Sequence, residues 1–177
     1  MPTKIHISKG DITEMPIEAI VNPANTDLLM ESGVAEAVRR KGGERIQEEC
    51  DRLSPIRLGA AVVTTGGNLR ALFVIHAATM RRGEKASAES IRLATRQVLF
   101  RAEEKAIKNL ALPALGTGAA GFPVAECARI MLKVVSEHIK MRTSLERIHF
   151  VLYDDAALKA FEDALQQQTS RPKSDAA

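Results

Sequence analysis

An α/β fold, specifically a three-layer α/β/α sandwich, is the architecture this sequence predicts, and three observations lead to it. Short β-branched and apolar runs alternate with long stretches whose apolar residues recur at helical spacing. Most of the short runs are apolar on consecutive positions, as expected for strands covered on both faces. The 177 residues carry no internal repeat and no linker, so a single domain with a substantial core is expected, with helices layered on both sides of one sheet.

The first strand is marked by Ile5 and Ile7 alternating with His6 and Ser8. Further strands are expected at Ala19 to Val21, Ala60 to Thr64, Leu72 to Ala77, Leu110 to Leu112 and Ile148 to Leu152. A short helix is read at Ala35 to Arg40. From Ser87 to Lys108, Ile91, Ala94, Val98, Ala102 and Ala106 repeat with helical period while Arg92, Arg96 and Arg101 take the other faces, and Ser87 suits the N-cap. From Pro123 another helix turns Ala128, Leu132, Val135 and Ile139 inward, with Pro123 placed at its first position. A last helix spans about Asp155 to Gln166, so the domain is expected over 1–166, with a disordered polar tail over 167–177.

Composition excludes several classes. Twenty-five Lys and Arg against twenty-two Asp and Glu leave a formal charge of +3, too small a surplus to identify a nucleic-acid binder. No apolar run approaches a membrane span and the start lacks the apolar centre of a secretory signal, so a soluble cytoplasmic protein with no membrane partner is expected. Cys50 and Cys127 lie in helical patterns without a Cys/His cluster, and His6, His76, His138 and His149 have no metal spacing. No cofactor and no metal are therefore expected. Aromatics make up 3% of the chain, which argues against an RNA surface of many stacking rings and makes a loop aromatic notable.

Four loops at strand ends carry the candidate chemistry, since open α/β sheets bind ligands there. In Lys9-Gly10-Asp11-Ile12-Thr13, Asp11 either accepts hydrogen bonds from a ligand or caps a turn. The segment Val21-Asn22-Pro23-Ala24-Asn25-Thr26 leads to Ser32-Gly33-Val34-Ala35 at a helix start. There Asn22 and Asn25 line a polar binding loop or simply form turns, and the free N–H groups after Gly33 suit an anion. In the stretch from Leu112 to Pro123, the three glycines of Gly116-Thr117-Gly118-Ala119-Ala120-Gly121 follow a strand and precede a helix, the context of a phosphate loop. The spacing matches neither a P-loop nor the dinucleotide fingerprint. Phe122, on that loop, is a ligand contact or a hydrophobic staple. After the last strand, Tyr153 either stacks on a base or covers the sheet end.

Taken together, GDIT, VNPAN with SGVAEAV, VIHAA and PALGTGAAGFP resemble the macrodomain family, the module that binds ADP-ribose, from about Ile5 to Leu165. The resemblance implies a mixed central sheet. It also implies that Asp11 holds the adenine amino group beside the Ile12 N–H and that Asn25 lies near the distal ribose with Asn22 in support. Ser32, Gly33 and Val34 would form the first diphosphate loop, Gly116, Thr117, Gly118, Ala119, Ala120 and Gly121 the second. Phe122 would pack on the distal ribose and Tyr153 on adenine.

Where the hydrolase branch of that family carries Gly-Gly-Gly-Val-Asp, this chain reads Glu31-Ser32-Gly33-Val34-Ala35, so Ala35 replaces the aspartate that serves the water. Glu31 is either a substitute base or a solvated rim charge. The resemblance thus implies binding of ADP-ribose, free or on a protein, with at most slow hydrolysis of ADP-ribose 1''-phosphate, O-acetyl-ADP-ribose or ADP-ribosyl esters. Asn25 is then the candidate catalytic residue. Two alternatives remain at this stage: a true ADP-ribosyl hydrolase, and an RNA or adenine-nucleotide binding module, the latter suggested by a pI near 9.0.

Overall fold

The computed structural model describes residues 1–171. Among them six strands form one sheet: β1 (Lys4–Lys9), β2 (Ala19–Asn25), β3 (Ala61–Thr65), β4 (Phe73–Met80), β5 (Asn109–Leu112) and β6 (Arg147–Leu152). Helices α1 (Gly33–Gly42), α2 (Glu44–Leu53), α3 (Ala88–Glu104), α4 (Val124–His138) and α5 (Asp155–Ser170) cover it, and one 3-10 turn, Ile12–Glu14, follows β1. The strand order is β1-β6-β5-β2-β4-β3. Every neighbouring pair is parallel except β3 on β4, so the sheet is mixed.

The period-two alternation of the strands divides the core into two layers. Val21, Ile75, Leu110, Leu112, Ile148 and Phe150 point to the face covered by α3, α4 and α5, where Val98, Leu132 and Phe161 meet them. Ile20, Val74, Ala111 and Val151 point to the other face, against Val38, Ile46 and Cys50 of α1 and α2. Phe161 anchors α5: its ring is fully buried, 5.0 Å from that of Phe150, in a tilted aromatic pair.

Several boundaries differ from those read in the sequence, each for a local reason. The helix expected to reach Lys108 stops at Glu104, because Ala106 takes a positive φ of 50°. The Ala106 N–H then donates to Glu103 O and the Ile107 N–H to Ala102 O, a Schellman closure that drops Ile107 into the core. Pro123 is the N-cap of α4, not its first helical residue. The segment Glu44–Leu53 forms α2, separated from α1 by Gly43 at φ 91°. Helix α5 runs past Gln166 to Ser170, so the polar tail does not begin at 167; Gln168 Oε1 accepts a 2.8 Å hydrogen bond from Ser136 Oγ of α4, which gives the extra turn a partner. The remainder of the expected tail, 172–177, lies outside the described residues. No helix among the described residues is long and apolar enough to cross a membrane.

Candidate ligand-binding cleft

The five parallel strands end along one edge of the sheet, and the loops that leave them meet there in the strand order. Residues 10–15 follow β1, 153–154 follow β6, 113–123 follow β5, 26–32 follow β2, and 81–87 follow β4. Asp11 and Tyr153 therefore stand on adjacent strands at one end, and the loop after β4 stands at the other. Four strand spacings of ~4.8 Å separate the ends, about 19 Å, which suits an elongated ligand.

At the first end Asp11 caps the turn that follows β1. Its Oδ1 accepts from the Thr13 N–H at 2.9 Å and from Thr13 Oγ1 at 2.6 Å, capping the 3-10 turn, while its Oδ2 takes Lys41 Nζ at 2.7 Å. Burial opposes its ionisation, but the hydrogen bonds from Lys41 and Thr13 outweigh that and hold the carboxyl below its ordinary range. The group is thus an anion in a fixed orientation with a half-exposed edge. Ile12 is buried with its side chain against the α1/α2 layer. Tyr153 is 86% exposed, so its ring does not cover the sheet end and is open to a ligand. Asp154 behind it caps α5 through the Ala157 N–H.

In the middle of the cleft lie two clusters of backbone amides that donate to no acceptor among the described residues. Helix α1 starts at Gly33 with φ 58°, and its first intrahelical bond is Glu36 N–H to Ser32 O. The amides of Gly33, Val34 and Ala35 precede that bond, and the Ser32 side chain does not cap them. A Cβ on Gly33 would meet nothing within 4 Å, so the space above the helix start is open. The loop after β5 is held by Phe122 N–H to Gly116 O and Gly121 N–H to Gly118 O, both 2.9 Å, and by Thr117 Oγ1 to Ala114 O. The amides of Gly118, Ala119 and Ala120 donate to no acceptor among the described residues. Gly116 is required twice over: it has φ 75°, and a Cβ there would lie 2.8 Å from the Ala86 Cβ. Phe122 is half-buried and packs on the α3/α4 core, the staple reading, with one part of the ring left at the rim.

The two asparagines part company. Asn22 is fully buried beneath α2 and does not reach the cleft. Its Nδ2 donates to His76 Nδ1 at 3.0 Å, which makes Nδ1 the acceptor and leaves Nε2–H to donate to Thr64 Oγ1 at 2.8 Å. Thr64 Oγ1 in turn donates a hydrogen bond to Thr65 O. Burial holds His76 neutral, down at about 4, so it is a structural histidine inside a polar seam of the sheet. Cys50, 3.6 Å from His76 Nε2, is pushed up to about 12 by burial and is not a nucleophile. Asn25 does line the cleft, but its Oδ1 accepts from Asp27 N–H and Leu29 N–H while its Nδ2 donates to Leu29 O. It shapes the loop and has one amide proton left for a ligand.

At the far end lies a cavity of about 380 Å³ lined by Asn25, Ser32, Ala35 and Ala119 on one side and by Met80, Arg82 and Lys85 on the other. Ala35 presents only a methyl group to it, with 7% exposure. Glu31 lies at the rim, about half exposed, and Arg82 holds it there through two contacts, Nε to Oε2 at 3.2 Å and Nη2 to Oε1 at 2.7 Å. The wall formed by residues 81–86 was not among the four loops read in the sequence. Its signal is the charged run Arg81-Arg82-Gly83-Glu84-Lys85 directly after a strand end, the same positional rule that found the others.

Comparison with known proteins fits this arrangement. The Macro domain family model matches residues 21–131. An uncharacterized protein of Mycobacterium tuberculosis is 43% identical over 163 residues, 92% of this chain. The chain spans 45% of that relative, less than half its length. The O-acetyl-ADP-ribose deacetylase of Salmonella newport is 34% identical over 178 residues, covering 97% of this chain and 99% of the relative. A solved Trypanosoma brucei macrodomain in complex with ADP-ribose superposes with a TM-score of 0.84 at 25% identity, over 91% of this chain and 68% of that one.

Proposed function

The chain belongs to the macrodomain family, and from that premise we propose that it binds ADP-ribose and ADP-ribosylated ligands in the cleft, with adenine at the Asp11 and Tyr153 end and the terminal ribose in the cavity beside Asn25 and Ala35. The observation that carries this reading is the pair of amide clusters at 33–35 and 118–120, set between a fixed carboxylate with an open aromatic ring on one side and an open cavity, which Ala35 and Ala119 help to line, on the other. Backbone N–H groups and a helix start suit a diphosphate without a lysine cluster, which explains a nucleotide site on a chain of charge +3. A ligand carried on a protein side chain enters with its terminal ribose toward the cavity, so an ADP-ribosylated protein is a partner of the same site.

Hydrolysis of ADP-ribose derivatives on this chain is slow. Ala35 accepts no proton, Glu31 is engaged by Arg82, and Asn25 has spent most of its hydrogen bonds on its own loop. What remains is positioning of the ester or phosphoester against water by the two loops, an effect of orientation without a general base. The role of Asn25 in any turnover is accordingly that of a group holding the ribose, not of a base.

Calorimetric titration with ADP-ribose, AMP and a short oligoadenylate tests the reading. ADP-ribose is expected to bind at micromolar level, about −8 kcal/mol, and more tightly than AMP, which lacks the terminal ribose. Asp11→Ala is expected to weaken it by roughly 1.5 to 3 kcal/mol and Tyr153→Ala by about 1 to 3. Equal affinity for ADP-ribose and AMP removes the assignment of the cavity, and preference for oligoadenylate replaces the reading with a nucleic-acid module.

A further inference from the structure

The opposite edge of the sheet, where the parallel strands begin, carries a cluster of side chains that the cleft does not use. Helices α1 and α2 pack on β2 and β3 and leave the same face of β1 and β6 without a helix. Lys4 and His6 of β1 point to that face, because Ile5 and Ile7 enter the α5 layer, and the parallel register sets Lys4 beside Arg147 and His6 beside His149. Four basic side chains thus form a two-by-two array at one strand spacing, about 4.8 Å. The two imidazoles stack with centroids 4.9 Å apart and planes 18° from parallel. Burial, and after it the charges of His6 and Arg147, hold His149 below its ordinary range. Like charges set directly opposite on neighbouring strands oppose folding, so the array is a burden on the free protein.

None of the four forms an ion pair among the described residues. The groove of about 740 Å³ that His6, Arg147 and His149 line is lined also by Arg70, which has no ion pair there either. The nearby carboxylates are engaged: Glu18 accepts from the Lys108 N–H at 3.2 Å and from Asn109 Nδ2 at 3.0 Å, Glu146 meets Lys108 Nζ at 3.4 Å, and Glu14 meets Lys41 Nζ at 2.6 Å. Lys4, Arg70 and Arg147 therefore outnumber Glu18, the one carboxylate that lines the groove. The bond to Glu18 fixes the Asn109 amide with its NH2 toward the carboxylate, and its Oδ1 is buried with no hydrogen-bond partner among the described residues, an acceptor open to a donor. On the far wall Leu72 is 64% exposed, beside Met15 and Ile17.

We propose that this groove is a docking surface for an acidic segment of a partner protein, with carboxylates held by Lys4, Arg70 and Arg147 and an apolar side chain laid against Leu72. Charge complementarity selects the occupant: the guanidinium forks of the two arginines match planar carboxylates, and an anion between the rows relieves the repulsion inside the array. A peptide N–H supplies the donor that Asn109 Oδ1 lacks. The apolar wall favours a polypeptide over a nucleic acid, whose backbone would leave Leu72 uncovered, and the two imidazoles stack on each other and leave no gap between them for a base. The groove lies where β5 and β6 start and the cleft where they end, so this surface is independent of the ADP-ribose reading.

The test is a titration of the isotope-labelled whole chain, followed through its backbone amide NMR signals, with a capped hexapeptide of four glutamates and two leucines, the same peptide with glutamine in place of glutamate, and a six-nucleotide oligouridylate. The acidic peptide is expected to move the signals of residues 4–8, 70–72 and 147–149 with an affinity on the order of millimolar, and the glutamine peptide to bind at least about fivefold more weakly. The double variant Arg70→Gln, Arg147→Gln is expected to lose about three- to tenfold in affinity, the scale of two exposed ion pairs, and Leu72→Ser about twofold or more. Arg147→Glu is expected to abolish binding with a Tm no lower than the parent's, because a carboxylate beside Lys4 relieves the array. No shift with the acidic peptide, equal binding of the glutamine peptide, or shifts confined to the cleft amides at 33–35 and 118–120 overturns the proposal. Tighter binding of the oligouridylate assigns the groove to nucleic acid and overturns it as well, and a lower Tm in Arg147→Glu removes the uncompensated array on which it stands.

Discussion

At the residue scale the cleft is governed by which polar groups are already engaged. Asn22 and Asn25 look alike in the sequence, three positions apart on one strand, and side-chain direction separates them: one is locked on His76 under α2 and the other lines the cavity. Nothing in the chain's one-dimensional pattern marks that difference, because the polar partners Thr64 and His76 come from strands far away in sequence. Glu31 shows the same limit, since its role is set by Arg82 on another loop. Ala35, in contrast, was marked in the sequence by the family resemblance, whose hydrolase branch carries an aspartate at that helix start. Its consequence is testable: Ala35→Asp places a carboxylate at the cavity beside the ribose end, where a positioned base contributes ~100 to 10,000-fold when well placed. Hydrolysis of an ADP-ribosyl ester is expected to rise at least about tenfold, with ADP-ribose affinity little changed, as followed by product release over time. A folded variant that binds ADP-ribose and shows no faster turnover would remove position 35 from the chemistry.

At the element scale, α1, α3, α4 and α5 were readable as helices from the apolar period, α2 only as a helical pattern around Cys50, and helix ends were not readable. The Ser87 cap was visible because a serine before a periodic run has one obvious use, and its Oγ does accept from the Ser90 N–H. The end of α3 was hidden because the residue that turns the chain is Ala106, with no glycine to announce it. An alanine in the left-handed region costs about 1 to 2 kcal/mol, while glycine adds roughly 0.5 to 1 kcal/mol of unfolded-state entropy. Ala106→Gly is therefore expected to stabilise the protein by about 0.5 to 1 kcal/mol and to raise Tm by roughly 1 to 4 °C for a domain of this size, measured by scanning calorimetry. A lower Tm would contradict the Schellman reading of this helix end. Helix α5 outran its expected length for a related reason: the glutamines that look like a solvated tail lie on a helix whose Gln168 meets Ser136 of a neighbour.

At the scale of the whole molecule, the polar seam under α2 gives stability a pH dependence. His76 is enclosed by Asn22, Thr64 and Cys50, with Glu49 the nearby charge, and its value of about 4 lies below the 6.5 of an unfolded chain. The unfolded state thus binds a proton the folded one refuses, so this contribution is complete above pH 6.5 and falls away as pH drops toward 4. Stability is expected to fall by about 2 kcal/mol between pH 7 and 5, read from denaturant midpoints. A second loss begins near 4.5: burial opposes ionisation of Glu103, but hydrogen bonds from Thr143, Ser144 and His138 outweigh it and hold the carboxyl at about 2. His76→Gln should flatten the first limb and Glu103→Gln the second; identical curves for all three proteins would refute both assignments. The sequence alone determined the layered α/β class, the strands as apolar runs and the glycine-rich loops, because each depends on local pattern: period and glycine placement. Only the tertiary structure decided the order of the loops along the edge, the burial of Asn22 and the crossing of Arg82 to Glu31. Those follow from parallel pairing of strands distant in the chain, which sets side by side residues whose separation in sequence carries no sign of their meeting.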